Sequence, residues 1–159
     1  MIPFAIKDAT TGHILIDHLR VRFGHNSSAV EAVSEVSMEV KPGEFVSIIG
    51  PSGCGKSTLL NVVAGFVQPS AGKVTVDGKI TDKPGADRGM VFQQYSLFPW
   101  LTVRRNVEFG LKQQGMETNH REQAARTLLG LAGLLAFDNH YPEQLSGGMQ
   151  QRVGIVRAL

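Results

Sequence analysis

The chain has 159 residues, 42% apolar and 19% charged, which suits one folded domain with a buried core and excludes a disordered, highly charged tail. Lys and Arg exceed Asp and Glu by only 16 − 14 = 2, which gives no support to a dedicated nucleic-acid binder. A single Cys excludes an internal disulfide framework and a Cys-rich metal site and fits a reducing compartment, while the 18 glycines, about 11% against a usual ~7%, are an excess to be accounted for.

The first residues, Met1 to His13, carry no basic segment followed by a long apolar core, so they do not read as an export signal. No apolar stretch approaches the roughly 20 residues of a spanning helix. The chain therefore reads as cytoplasmic, reaching a membrane only through a partner. Ile14 to Phe23 alternates in part and predicts a strand, as does Val36 to Val40; His25 to Ser28 between them is loop-like. Lys41-Pro42-Gly43-Glu44 is a turn signal. Phe45 to Ile49 is a short apolar run of the kind that forms a buried strand. A glycine-rich loop follows, then a helical stretch from about Lys56 to Phe66, broken by Gln68 to Gly72. Lys73 to Asp77 alternates as a strand before an Asp77-Gly78 turn, and Gly89 to Gln93 predicts another short apolar strand. From Thr102 the character is helical. Asn119 with Glu122 suggests a capping-box start, followed by Ala125, Leu128, Leu129, Ala132 and Leu135 at helical spacing. Pro142 closes that region, and a last helix is predicted from near Ser146. Repeats and low-complexity tracts are absent.

Two glycine clusters carry the chemistry. Gly50-Pro51-Ser52-Gly53-Cys54-Gly55-Lys56-Ser57-Thr58 matches G-x-x-x-x-G-K-[ST] in full, between a predicted strand and a predicted helix. Gly50 and Gly55 allow backbone angles and close approach that a β-carbon forbids. The loop N–H groups can then form a nest for phosphate oxygens, at which the following helix aims its positive end. Lys56 supplies a point charge for the β and γ phosphates, and the Ser57 hydroxyl can ligate Mg²⁺. A nucleoside triphosphate with Mg²⁺ is the expected ligand. The second cluster, Leu145-Ser146-Gly147-Gly148-Met149-Gln150-Gln151-Arg152, places a good N-cap ahead of two glycines that expose backbone N–H groups, again an anion site.

Together these two motifs resemble the ATPase subunits of ABC transporters, whose signature is L-S-G-G-x-x-x-R. Gly43-Glu44-Phe45, Gly50 to Leu60, Val91-Phe92-Gln93 and Leu145 to Leu159 all look like blocks of that family. The resemblance implies an α/β P-loop NTPase fold of the ABC ATPase type, with an N-terminal antiparallel β part and a helical subdomain, the C-terminal part of the cassette being absent. It implies a partial domain over 1–159, divided into a β part and P-loop core (1–93), a helical subdomain (94–145) and a signature helix (146–159). It further implies two subunits, a homodimer or a pair with a second ATPase, sandwiching ATP so that Ser146, Gly147 and Gly148 of one touch the nucleotide on the P-loop of the other. Gln93 takes the place of the Q-loop glutamine, contacting Mg²⁺ and the attacking water; Gln94 is its neighbour, and Val91-Phe92 sets the register for Gln93. Phe23 falls where the family stacks an aromatic on adenine, against the plainer reading of a strand-end core residue. Cys54 reads as a spacer, with Lys56 and a helix start beside it as surroundings that favour a thiolate. The histidines at 13, 18, 25, 120 and 140 show no metal-ligand spacing and read as surface residues; Arg104 and Arg105 read as a solvated face.

In the family the catalytic acids lie on an apolar strand ending in Asp-Glu after the signature helix, and within these 159 residues no two acidic residues are adjacent. The expectation is that this chain alone hydrolyses ATP negligibly. Ala86 to Gln93 followed by Leu97-Phe98-Pro99-Trp100 is similar to the ATPases of importers for nitrate, sulfonate and taurine. That implies a peripheral position on the inner face of the membrane, a transmembrane permease as partner and, indirectly, a periplasmic or lipoprotein solute-binding protein. Two alternatives stay open: a nucleotide-binding fragment without turnover, and a non-transport ABC ATPase. A GTPase or P-loop kinase has no use for the LSGGMQQ run, and no N-K-x-D base-reading motif is present.

Overall fold

A computed structural model describes residues 10–24, 29–94 and 96–159. They fall into two units that join in the chain between Arg88 and Gly89. The earlier unit is a four-stranded antiparallel sheet of order β2-β1-β3-β4, with β1 Ile14–Phe23, β2 Val30–Val40, β3 Ala71–Val76 and β4 Lys79–Ile80. β2 starts well before the predicted Val36, and the loop predicted over 25–28 lies outside the described residues. The partial alternation of β1 has a physical cause. Its buried residues are Ile16, Leu19 and Val21, so an extra residue intervenes between the first two. At that point the pairing with β2 slips and His18 takes φ 46°, a bulge that returns the apolar side chains to one face.

That face is covered by helix α1, Lys56–Ala64. Leu59 and Val62 of α1 pack with Ile16, Leu19, Val21, Val33 and Val74 in one cluster of buried side chains. Each contributes about 1.5–3 kcal/mol relative to exposure in water. The helix stops at Gly65, at φ 82°, where a β-carbon would collide with the Lys83 carbonyl. Gly65 N–H donates to the Val62 carbonyl and Phe66 N–H to that of Asn61, closing the last turn two residues short of the predicted Phe66 end.

The apolar runs at 45–49 and 89–93 are not strands. Phe45 is 94% and Ile49 92% exposed, and neither segment has a ladder partner among the described residues. Periodicity reports that a segment is apolar; a strand exists only through hydrogen-bonded neighbours.

The later unit is helical: α2 Val103–Gln113, α3 Thr118–Leu131 and α4 Gly147–Ala158, with short 3₁₀ turns at Leu135–Phe137 and Pro142–Gln144. Val103, Val107, Ala125, Leu128, Leu129, Leu134 and Val153 are among its buried residues. Helix α3 begins at Thr118 behind Glu117, so Asn119 and Glu122 lie inside the helix and form no cap. It ends at Leu131, and Leu135 belongs to the following turn and is exposed. Arg104, expected on a solvated face, is mostly buried and pairs with Glu108 at 3.6 Å and with Glu122; Arg105 is exposed. His140 is half-buried with its ring 5.2 Å from that of Phe137, so it is not a surface residue. No helix among the described residues is long and apolar enough to cross a membrane.

Candidate functional site

The loop from Gly50 runs directly into α1. Gly55 caps the helix at φ 92°, and a β-carbon there would strike the Ala32 carbonyl and press on Val33. Sterics and backbone angle both require glycine. The first turn of α1 has no side-chain cap and no acidic residue, and its first closing bond is from Leu59 N–H to the Gly55 carbonyl at 2.9 Å. The N–H groups of Lys56, Ser57 and Thr58 therefore come before any intrahelical partner, at the positive end of the helix. Lys56 folds back over the loop. Its ammonium donates to the carbonyls of Gly50 at 2.8 Å and Pro51 at 2.6 Å and lies 3.6 Å from Cys54 Sγ. Cys54 N–H donates to the Pro51 carbonyl at 3.4 Å, so Pro51 to Cys54, including Ser52 and Gly53, form a tight turn. Cys54 and Ser57 are exposed and Thr58 is half-buried. Unpaired N–H groups at a helix start and a held cation thus belong to one short stretch of chain, a chemistry suited to a polyphosphate. Ser57 offers a hard oxygen of the kind Mg²⁺ takes.

In the other unit, Ser146 caps α4: its φ and ψ are −65° and 158°, and its hydroxyl accepts from Met149 N–H at 3.4 Å. Gly147 and Gly148 are exposed in the first turn, with no atom near the place a Gly148 β-carbon would take. Gln150 holds the approach to this turn by donating to the carbonyls of Pro142 at 3.0 Å and Leu145 at 3.2 Å. Arg152 donates to the Ala132 carbonyl at 2.8 Å, tying α4 to the end of α3. Gln93 is exposed, in a bend. Phe23, in the sheet unit, is the last residue of β1, paired with Val30 and 47% exposed. Among the described residues no group of His, Cys, Asp and Glu is arranged to hold a metal ion by itself.

Two residues missed in the sequence organise the segment after Gln93. Asn106 of α2 is fully buried. Its side-chain oxygen accepts from Phe98 N–H at 2.8 Å, and its amide donates to the carbonyls of Phe98, Leu101 and Thr102 at 3.0–3.1 Å. The available signal was its place between Val103 and Val107 on the apolar stripe of α2, where an unpaired Asn would be costly. Arg157, in the last turn of α4, donates to the Ser96 carbonyl at 2.7 Å. Burial holds its guanidinium below the ordinary arginine value.

The family described as ABC transporter matches residues 33–159. The nitrate import ATP-binding protein of Synechocystis is 50% identical over 147 residues, 92% of this chain and 55% of that protein. The taurine import ATP-binding protein of Burkholderia pseudomallei is 50% identical over 139 residues, 87% of this chain and 54% of that protein. An ATP-binding cassette solved as a dimer in a post-hydrolysis state with ADP and Pi superposes with a TM-score of 0.84 at 38% identity, covering 92% of this chain and 68% of that one. The chain thus spans about half the length of the curated relatives it matches.

Proposed function

The chain belongs to the ABC transporter family, and from that premise we propose that it binds Mg·ATP within the ATP-binding subunit of an importer. The observation that carries the reading is the Lys56 ammonium held by the Gly50 and Pro51 carbonyls in the first turn of α1, directly after left-handed Gly55 and with no side-chain cap. Residues 50–58 would hold the phosphates, with Lys56 exchanging its carbonyl contacts for phosphate oxygens. Ser57 would hold Mg²⁺, which neutralises phosphate charge when bound. Gln93, in the other unit, is assigned to the Mg²⁺ and water side by its motif, and Phe23 to adenine. Ser146, Gly147 and Gly148 would meet a nucleotide on a second copy or a second ATPase subunit, a reading supported by the dimeric cassette to which the chain is similar. The P-loop and Ser146 assignments rest on motif and local geometry, those of Gln93 and Phe23 on motif alone.

The domain division is proposed as a β part and P-loop core to residue 93, a helical subdomain to 145 and the signature helix from 146. Coupling to a permease on the inner face of the membrane, with a solute of the nitrate, sulfonate or taurine kind delivered by a binding protein, is supported by the importer names of two relatives at 50% identity. Adjacent acidic residues are absent from these 159 positions, so turnover by this chain alone is proposed to be negligible and nucleotide binding its share of the cycle. The test is calorimetric titration of Mg·ATP into the wild type and Lys56→Ala. Loss of a charged donor to phosphate weakens binding by about a hundredfold or more. Wild-type affinity in Lys56→Ala would end the reading.

A further inference from the structure

The segment that follows Gln93 is held from two sides. On one side, Asn106 of α2 receives the Phe98 N–H and donates to three carbonyls around it. On the other, the last turn of α4 sends Arg157 to the Ser96 carbonyl at 2.7 Å, with the guanidinium carbon 5.6 Å from the centroid of the Phe98 ring. Ser96 sits at φ 47°, left-handed for a non-glycine residue, and its hydroxyl donates to the Gln94 carbonyl at 2.7 Å. Such backbone persists only where its surroundings over-determine it. Here those surroundings include the Arg157 bond and the Phe98 ring, which also packs at 4.5 Å on Phe109 of α2 and at 5.7 Å on Trp100. Trp100, at the tip, is 71% exposed.

Arg157 closes a mechanical path. Helix α4 starts at Gly147, behind its cap Ser146, and ends at Ala158; its 12 residues make a rod about 18 Å long. A charge-assisted bond and a cation–π contact join the far end of that rod to the segment just after Gln93. We propose that Arg157 is a positioning residue: it makes Ser96–Trp100 and the last turn of the signature helix one rigid body, so that a displacement at Ser146–Gly148 is delivered to the exposed tip. This rests on the ATP-binding reading above for the source of the displacement, while the tie itself stands on the geometry alone.

The test is amide hydrogen exchange followed by mass spectrometry on the protein, with and without Mg·ATP. Removing the guanidinium in Arg157→Gln should speed exchange of the Phe98 and Leu101 amides about tenfold, the worth of one hydrogen bond to a charged group. Exchange in α1 and α3, and ATP affinity, should stay within about twofold, since the Arg157 bond is to the Ser96 carbonyl and its ring contact is to Phe98. Arg157→Lys keeps the charge and a donor on an arm one bond shorter, without the guanidinium beside Phe98, so it should recover part of the protection, with exchange about threefold faster than wild type. Mg·ATP should change exchange of this peptide in the wild type and change it less in Arg157→Gln. Unchanged exchange in Arg157→Gln would overturn the proposal, as would equal acceleration throughout α2, α3 and α4, or an equal ATP response in both proteins. If Arg157→Gln does not fold, wild-type exchange in Arg157→Lys overturns it. Failure of the wild type to bind ATP at all would defeat the proposed function and leave the nucleotide-free exchange comparison intact.

Discussion

Replacing Asn106 by Ala removes a side chain with 0% exposure and four hydrogen bonds, but the four are not equal losses. The Thr102 carbonyl also accepts from Asn106 N–H at 2.8 Å, and the Phe98 carbonyl also accepts from Leu101 N–H at 3.1 Å, so both keep a partner. The Phe98 N–H and the Leu101 carbonyl lose the partner they have among the described residues. An unsatisfied buried group costs about 1–3 kcal/mol. The environment is part-buried, so some water reaches it and the lower half of that range applies to each group. The expected loss is therefore about 2–4 kcal/mol, a large fraction of the total stability of a small domain. Asn106→Asp is the sharper control. A carboxylate still accepts from Phe98 N–H, but it cannot donate, and it faces three carbonyls as a negative charge. It should be no more stable than Asn106→Ala, despite its near-identical shape. Urea unfolding at constant slope measures both. A loss below about 1 kcal/mol for Asn106→Ala, or Asn106→Asp close to wild type, would refute the accounting of these bonds.

Three further outcomes follow from local geometry. Gly55→Ala places a β-carbon against the Ala32 carbonyl at φ 92°; it should cost at least the ~1–2 kcal/mol of a left-handed L-residue and weaken Mg·ATP binding with it, and unchanged melting with unchanged binding would contradict the close approach. Ser146→Ala removes the cap of α4; because the bond to Met149 N–H is long at 3.4 Å, a loss near the low end of ~0.5–2 kcal/mol is expected in denaturant unfolding, with Ser146→Asp retaining most of it. The Glu35 carboxyl is held below its ordinary value of 4.5, first by the hydrogen bond from Arg20 and then by that from His18. Its contribution is therefore present above that value and fades as pH falls through the lowered one. Between pH 6 and 3 the unfolding midpoint of the wild type should drop more than that of Glu35→Gln, by a small amount since the pair is exposed; parallel profiles would deny the pair any role.

How far the sequence reaches depends on whether a constraint is local. The P-loop was legible because its requirements lie within nine residues: a left-handed glycine, a lysine that reaches back, a helix that starts at once. The Ser146 cap was legible for the same reason, whereas Asn119 and Glu122 imitate a cap in spacing yet are the second and fifth residues of α3, since side-chain identity does not fix where the chain first turns helical. Strand β1 was read correctly in extent, and its imperfect alternation recorded the bulge at His18. What the sequence could not carry was partnership. Phe45–Ile49 and Gly89–Gln93 have the apolar character of inner strands, yet no described neighbour pairs with them, and Phe45 and Ile49 stand almost fully exposed. Exposed apolar runs of this kind mark surface suited to being covered. Asn106 and Arg157 fail to stand out for the opposite reason. Each looks like an ordinary polar helix residue, and its work appears only when the helices bring Phe98, Leu101 and Ser96 within hydrogen-bond reach. A polar residue at a core position of a helical stripe is the readable trace of that work in Asn106. Arg157 leaves a similar trace, one position beyond buried Val156 and four beyond Val153. The long cations and amides bordering apolar stripes are therefore the residues to test first for control of the segment after Gln93.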